Sequence, residues 1–207
     1  MPFIQTDRTI LFVHIPKCAG SSVEAWMARH GALNFWNPMG PLAARVNLQH
    51  WTAADLRASF ADDFFDYTFT IVRDPYTRME SEYRMRMLAR NGPATPSFSS
   101  WLAHAMQAAR GNAFALDSHM RPQSDFVDDR MAIFRLEDGL ERALARVARD
   151  CGLPEGPVGR ERTTRDRFHG EIRWSGQDRR TVNAFYGEDF ERFGYDRIDP
   201  GMAVSEP

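Results

Sequence analysis

Residues 9–22 read TILFVHIPKCAGSS. Of the first seven, all but His14 are apolar or β-branched without alternation, the pattern of a strand buried on both faces. After His14 and Pro16 come Lys17, Cys18, Ala19, Gly20, Ser21 and Ser22, and then a helical pattern with Ser21 and Glu24 in capping-box spacing. A strand that turns through small residues into a helix brings backbone N–H groups, the positive helix end and a lysine charge together. Those groups suit an oxyanion such as phosphate or sulfate. The order differs from the G-x-x-x-x-G-K-[ST] nucleotide loop, because here the lysine precedes the glycine and hydroxyls. The plainer alternative is a tight strand-to-helix turn in which Ser21 only caps. Lys17 weighs against it: of the twenty-six basic residues it is the single lysine, all others being arginine.

Outward from that stretch, residues 67–72 (YTFTIV) and 131–136 (MAIFRL) are further continuous apolar runs, and 46–51 reads as a shorter fourth strand. Helical patterns follow them. Thr52 caps a helix carrying Leu56 and Phe60, and Asp74 with Pro75 forms an N-cap and first helical position. Phe98, Trp101, Leu102, Ala105, Met106 and Ala109 form one helical stripe, and Leu140, Ala143, Leu144, Val147 and Cys151 another, which makes Cys151 a core residue. Residues 152–176, rich in glycine, proline and arginine, read as a long loop. Val182, Phe185, Tyr186, Phe190, Phe193 and Tyr195 read as one final helix docking through aromatics. The expected fold is α/β, a P-loop-like central parallel sheet flanked by helices, in a single domain over 1–207 whose last ten or so residues fray.

Composition bounds the partners. With 207 residues, 43% hydrophobic and a net charge of −2, the chain carries no global field for nucleic acid or an anionic membrane, so any anion site is local. No apolar run nears the roughly 18 residues of a membrane span, and no basic-then-apolar signal segment opens the chain. Cys18 and Cys151 are too few for a disulfide framework and lack metal-ligand spacing, so the expected setting is reducing and cytoplasmic. Oligomeric state is not legible.

A second anion-binding piece lies where the run at 67–72 ends. Arg73 leaves the strand at its carboxyl end, and Ser81 sits about two turns into the next helix, so a guanidinium and a hydroxyl can converge on another phosphate. The alternative pairs Arg78 with Glu82 at i,i+4 and leaves Arg73 and Ser81 on the surface. Three local matches then stand in order along the chain: H-I-P-K-x-x-G-[ST]-S at 14–22, R-x-P-x-x-R-x-x-S-x-Y at 73–83, and RPQSDF at 121–126. The ending from Tyr186 through Asp189, Phe190 and Phe193 to Tyr195 adds a fourth. Together they resemble the sulfotransferase superfamily that uses 3′-phosphoadenosine 5′-phosphosulfate, and within it the carbohydrate sulfotransferases and their small bacterial relatives.

The resemblance implies a role for each matched position. Lys17, Cys18, Ala19, Gly20, Ser21 and Ser22 would hold the 5′-phosphosulfate, and Arg73 with Ser81 the 3′-phosphate. The reaction would be in-line sulfuryl transfer to an acceptor hydroxyl, resting on positioning and charge stabilisation with no metal required. Lys17 would neutralise the departing phosphate oxygen. His50 is the best positional match for the base that takes the acceptor proton, with a histidine capping the next helix as the plainer reading. His14 reads as a structural strand-end residue and His119 as the reserve base. His119, Arg121 and Gln123 are candidate acceptor-side residues, the last two equally able to support the loop. Arg160, Arg162, Arg165 and Arg167 fall where relatives fold a segment over the nucleotide. Relatives commonly have threonine at the position of Cys18, and a thiol is a weaker donor. A chain this short suits a small glycan, a glycolipid head group or a small alcohol as acceptor. A P-loop kinase or NTPase and a catalytically silent nucleotide-binding module are the competing classes.

Overall fold

The structure, a computed structural model, describes residues 1–36, 47–90, 95–159 and 165–201. Strands β1 (Phe3–Gln5), β2 (Thr9–Val13), β3 (Tyr67–Val72) and β4 (Ala132–Arg135) form one sheet in that order. β2, β3 and β4 pair in parallel, with Val13 opposite Thr70 and Val72 opposite Arg135. Burial on both faces explains two of the unbroken apolar runs, since four of the five residues of β2 and the last four of β3 are buried, whereas β4 at the sheet edge is only partly covered and Ile133 is exposed. The expected central parallel sheet is present in β2, β3 and β4, and at one edge it gains β1, which pairs antiparallel with β2. Three residues are too few for periodicity to show. β1 is ordered by its pairing and by a bridge from Phe3 to Asn34.

Parallel pairing sends the chain out of β2, β3 and β4 at the same edge of the sheet. Residues that follow Val13, Val72 and Arg135 are therefore neighbours, and ligands of such sheets bind there. Around the sheet pack α1 (Gly20–Met27), α2 (Ala53–Ser59), α3 (Pro75–Leu88), α4 (Phe98–Gly111), α5 (Leu140–Cys151), α6 (Gly176–Phe185) and α7 (Gly187–Phe193). Two caps stand as the sequence reads them. Thr52 and Asp55 form a capping box on α2, and the Asp74 carboxylate accepts from the Thr77 N–H with Pro75 in the first turn of α3. The apolar stripe of α5 is buried and includes Cys151.

Three local expectations fail. Ser21 and Glu24 make no capping box: α1 begins at Gly20, Ala19 caps it without a side-chain bond, and His14 captures the Glu24 carboxylate. No strand forms near residue 50, where Leu48–His50 is a 3-10 turn; Val46 lies outside the described residues. There the Asn47 side chain accepts from the Gln49 N–H, a local closure that competes with extension. The single final helix is two, broken at Tyr186. The break lets the buried Tyr186 hydroxyl donate to the Met120 carbonyl while Asp189 of α7 accepts from the Gln123 and Ser124 N–H groups. Described residues between α5 and α6 contain no helix or strand, as a long loop requires. No helix among the described residues is long and apolar enough to cross a membrane.

Candidate active site

The loop between β2 and α1 is strained. Lys17 and Ala19 both lie in the left-handed region, at φ 70° and 63°, where L-residues other than glycine are costly. Cys18 between them donates its N–H to the Ile15 carbonyl. Such alternation just ahead of an eight-residue helix forms the kind of backbone concavity that receives anions. His14 braces it from below. Its Nδ1 donates to Glu24 Oε1 at 2.6 Å, and Glu24 is also held by Gln49 and by the Trp36 indole N–H. The imidazole fills the space over Gly20 so fully that a Cβ there would sit 2.0 Å from Nε2. Gly20→Ala should therefore push His14 off Glu24 and cost about 1–3 kcal/mol of stability, an overpacking penalty. Denaturant unfolding of the variant measures it, and unchanged stability would show that the brace yields freely.

Cys18 faces inward. It is fully buried, its Sγ lies 3.2 Å from Gln123 Oε1, and burial pushes the thiol up to about 12. Its weakness as a donor therefore does not bear on a ligand at the loop, and its side chain is removed from the expected binding set. Gln123 is likewise fully buried. Its Oε1 accepts from the Arg73 N–H and its Nε2 donates to the Arg73 carbonyl, both at 2.8 Å. Of the two readings left open for Gln123, these contacts favour loop support over acceptor contact. Arg121 turns its side chain to Asp125 at 2.7 Å.

Arg73 and Lys17 meet. Arg73 donates through Nη1 to the Lys17 carbonyl at 3.2 Å and through Nε to the Thr77 hydroxyl at 3.0 Å. The Lys17 ammonium rests 3.2 Å from the Met85 sulfur, a weak acceptor that leaves most of its donor capacity unused. Burial lowers the Lys17 pKa; Glu82 opposes that shift, and Arg73 and Arg86 add to it. Ser81 lies on α3, buried, on the turn that also carries Arg78 and Glu82. Arg78 does not pair with Glu82. It is fully buried and donates to three carbonyls, those of Pro16, His119 and Arg121, tying the anion loop to the segment that carries His119.

That segment meets His50. The two imidazoles stand edge to face with centroids 4.8 Å apart. Each has a carboxylate on Nδ1: Asp117 Oδ2 lies 2.8 Å from His50 and Glu82 Oε2 lies 2.7 Å from His119. Burial opposes ionisation of Glu82, but the bonds and charges of His119 and Arg86 overcome it and hold the carboxyl down at about 2. Burial opposes ionisation of Asp117 too, and the bonds from His50 and the Asn47 N–H outweigh it. Both carboxylates are thus acceptors, so each Nδ1 carries the proton. Burial lowers the pKa of both histidines against the pull of these partners. Burial thus disfavours the charged form of each ring, and Nε2 is the nitrogen left to accept a proton.

The structure thus gathers Lys17, Arg73, His50 and His119 at one edge of the sheet. The sequence reading missed Asp117, and it gave Glu82, Glu24 and Arg78 only local roles. Asp117 stands two residues before His119 and Glu82 directly after Ser81, the one available hint. Arg165 and Arg167 are exposed, and Arg160 and Arg162 lie outside the described residues. Two surface cavities, of about 410 and 510 Å³, lie elsewhere, one below the starts of β3 and β4 and one between β4 and α5. Neither is lined by a residue of the loop or the histidine pair.

Comparison with known proteins gives a match to the family model described as Sulfotransferase family over residues 2–196. No curated protein and no solved structure matches the chain.

Proposed function

The chain belongs to the sulfotransferase family, and from that premise we propose that it moves a sulfuryl group from 3′-phosphoadenosine 5′-phosphosulfate to a hydroxyl of a carbohydrate or small alcohol. The observation that carries this reading is the meeting of Lys17 and Arg73 at a strained anion loop joined through Arg78 to a pair of buried histidines, each with a carboxylate on Nδ1. The donor supplies an activated sulfuryl group. The chain supplies the rest. Backbone N–H groups of the loop and the N-terminus of α1 hold the phosphosulfate, with Lys17 placed for the charge that grows on the departing oxygen. Arg73 and Ser81 bind the 3′-phosphate. To reach it, Arg73 exchanges its bond to the uncharged Lys17 carbonyl for one to a charged phosphate. His50 takes the acceptor proton at Nε2 while Asp117 keeps its ring oriented. The acceptor class rests on the family branch that the sequence resembles, and the two free, buried cysteines suit a cytoplasmic setting.

Binding is tested without turnover. 3′-Phosphoadenosine 5′-phosphate should raise the melting temperature more than adenosine 5′-phosphate, because only the former reaches Arg73 and Ser81. Arg73→Ala should weaken that nucleotide by about 1.5–3 kcal/mol, the loss of a charged hydrogen bond. Equal shifts from the two nucleotides would remove the 3′-phosphate assignment. An acceptor screen with labelled donor identifies the hydroxyl.

A further inference from the structure

His50, Asp117 and His119 have a property that the transfer reaction does not use. One potential ligand atom from each lies within 4.8 Å of those from the other two. The imidazoles are nearly buried and the carboxylate is 38% exposed, which gives an ion a way in. We propose that this trio binds a divalent transition-metal ion of the zinc type, and that the loaded site switches the transferase off.

Two imidazoles and one carboxylate are a nitrogen and oxygen donor set suited to zinc and its neighbours. Ligand bonds of about 2.1 Å require tetrahedral donor separations of about 3.4 Å, so no pair of donor atoms has to close by more than about 1.4 Å. Outer partners are already in place. Glu82 holds His119 at Nδ1, which leaves Nε2 for an ion, and the Asn47 N–H holds Asp117 Oδ1 at 2.7 Å, which leaves Oδ2. The buried negative charge of Glu82 favours a cation nearby, while Lys17 and Arg86 on its other side temper the affinity. On loading, the bond between His50 and Asp117 opens, and His50 offers its Nε2 lone pair while the carboxylate offers Oδ2, so no proton has to leave either group. The switch follows from the reading of His50 as the base, since a ligated imidazole has lost its orienting carboxylate. Binding itself does not depend on that reading.

The test titrates metal-free protein with Zn²⁺ by calorimetry, and with Co²⁺ for its visible ligand-field spectrum, in the absence of nucleotide. One ion per chain is expected. His119→Ala and Asp117→Ala should abolish it, and Glu82→Gln should weaken it by about 10–100-fold, the usual cost of an outer partner. Activity should survive a chelator and fall along the zinc binding curve. If the variants do not fold, the imidazole nitrogen resonances of His50 and His119 in the parent protein must shift with zinc. No saturable binding, binding equal in folded variants, or unshifted resonances would overturn the site and leave the transferase reading intact. Stoichiometric binding without inhibition would overturn the switch, and with it the role of His50.

Discussion

Lys17→Arg should lower the single-turnover rate at saturating donor by about 10²–10³-fold, the typical cost of losing a donor aimed at developing transition-state charge. Lys17→Ala should lose as much. In a chain whose every other basic residue is arginine, a lysine that served only as positive charge would tolerate the exchange. Its surroundings do not. The Lys17 backbone is held at φ 70° in the tight turn into α1, which gives the side chain little freedom to leave by moving the loop. Its ammonium end lies against Met85, with Glu82, Arg73 and Arg86 close enough to act on its charge. Lysine is a compact point charge on a slim stem, whereas arginine is a planar fork that needs width and a different approach. A third guanidinium beside Arg73 and Arg86 carries the same charge as the ammonium but needs more room. Circular dichroism and melting temperature establish folding, and single-turnover rates separate chemistry from binding. An arginine variant keeping more than about half the parent rate would return Lys17 to an ordinary surface role.

His50→Ala should reduce turnover by at least about 100-fold while leaving the affinity for 3′-phosphoadenosine 5′-phosphate nearly unchanged. The base needs a neutral ring with its lone pair directed at the acceptor. Asp117 holds the Nδ1 proton and so fixes the tautomer, and burial keeps the ring uncharged. Affinity is spared because neither Lys17 nor Arg73 hydrogen-bonds to His50. Rates are to be measured in a chelator, so that metal occupancy is the same in parent and variant. Near-normal turnover would pass the role to His119, the neighbouring imidazole.

The strands, the anion loop, the caps at Thr52 and Asp74, and the buried face of α5 were legible because each is written in consecutive or periodic residues. Tight spacing of small residues after an apolar run needs no distant partner to be recognised. The same local logic misread Glu24. Its spacing from Ser21 fits a capping box, yet a buried imidazole at His14 offers a carboxylate a stronger partner than a solvated helix end. It also misread Arg78, whose i,i+4 distance from Glu82 suggests a surface ion pair. Three carbonyls from two remote segments satisfy it instead, and Glu82 turns to Arg86 and His119.

The sequence by itself therefore determined the α/β layering, the loop with its lone lysine, and the positions of Arg73 and His50 at strand or turn ends. Tertiary structure alone decided the company those residues keep. It set His50 beside Asp117, 67 residues away, and beside His119, and it set Glu82 between His119 and Arg86. It also turned Cys18 inward to Gln123, 105 residues along the chain. The physical reason is one of range. Apolar periodicity and capping are satisfied within a few residues, whereas a buried polar group must find a partner wherever folding brings one, because leaving it unpaired costs more than any local preference returns.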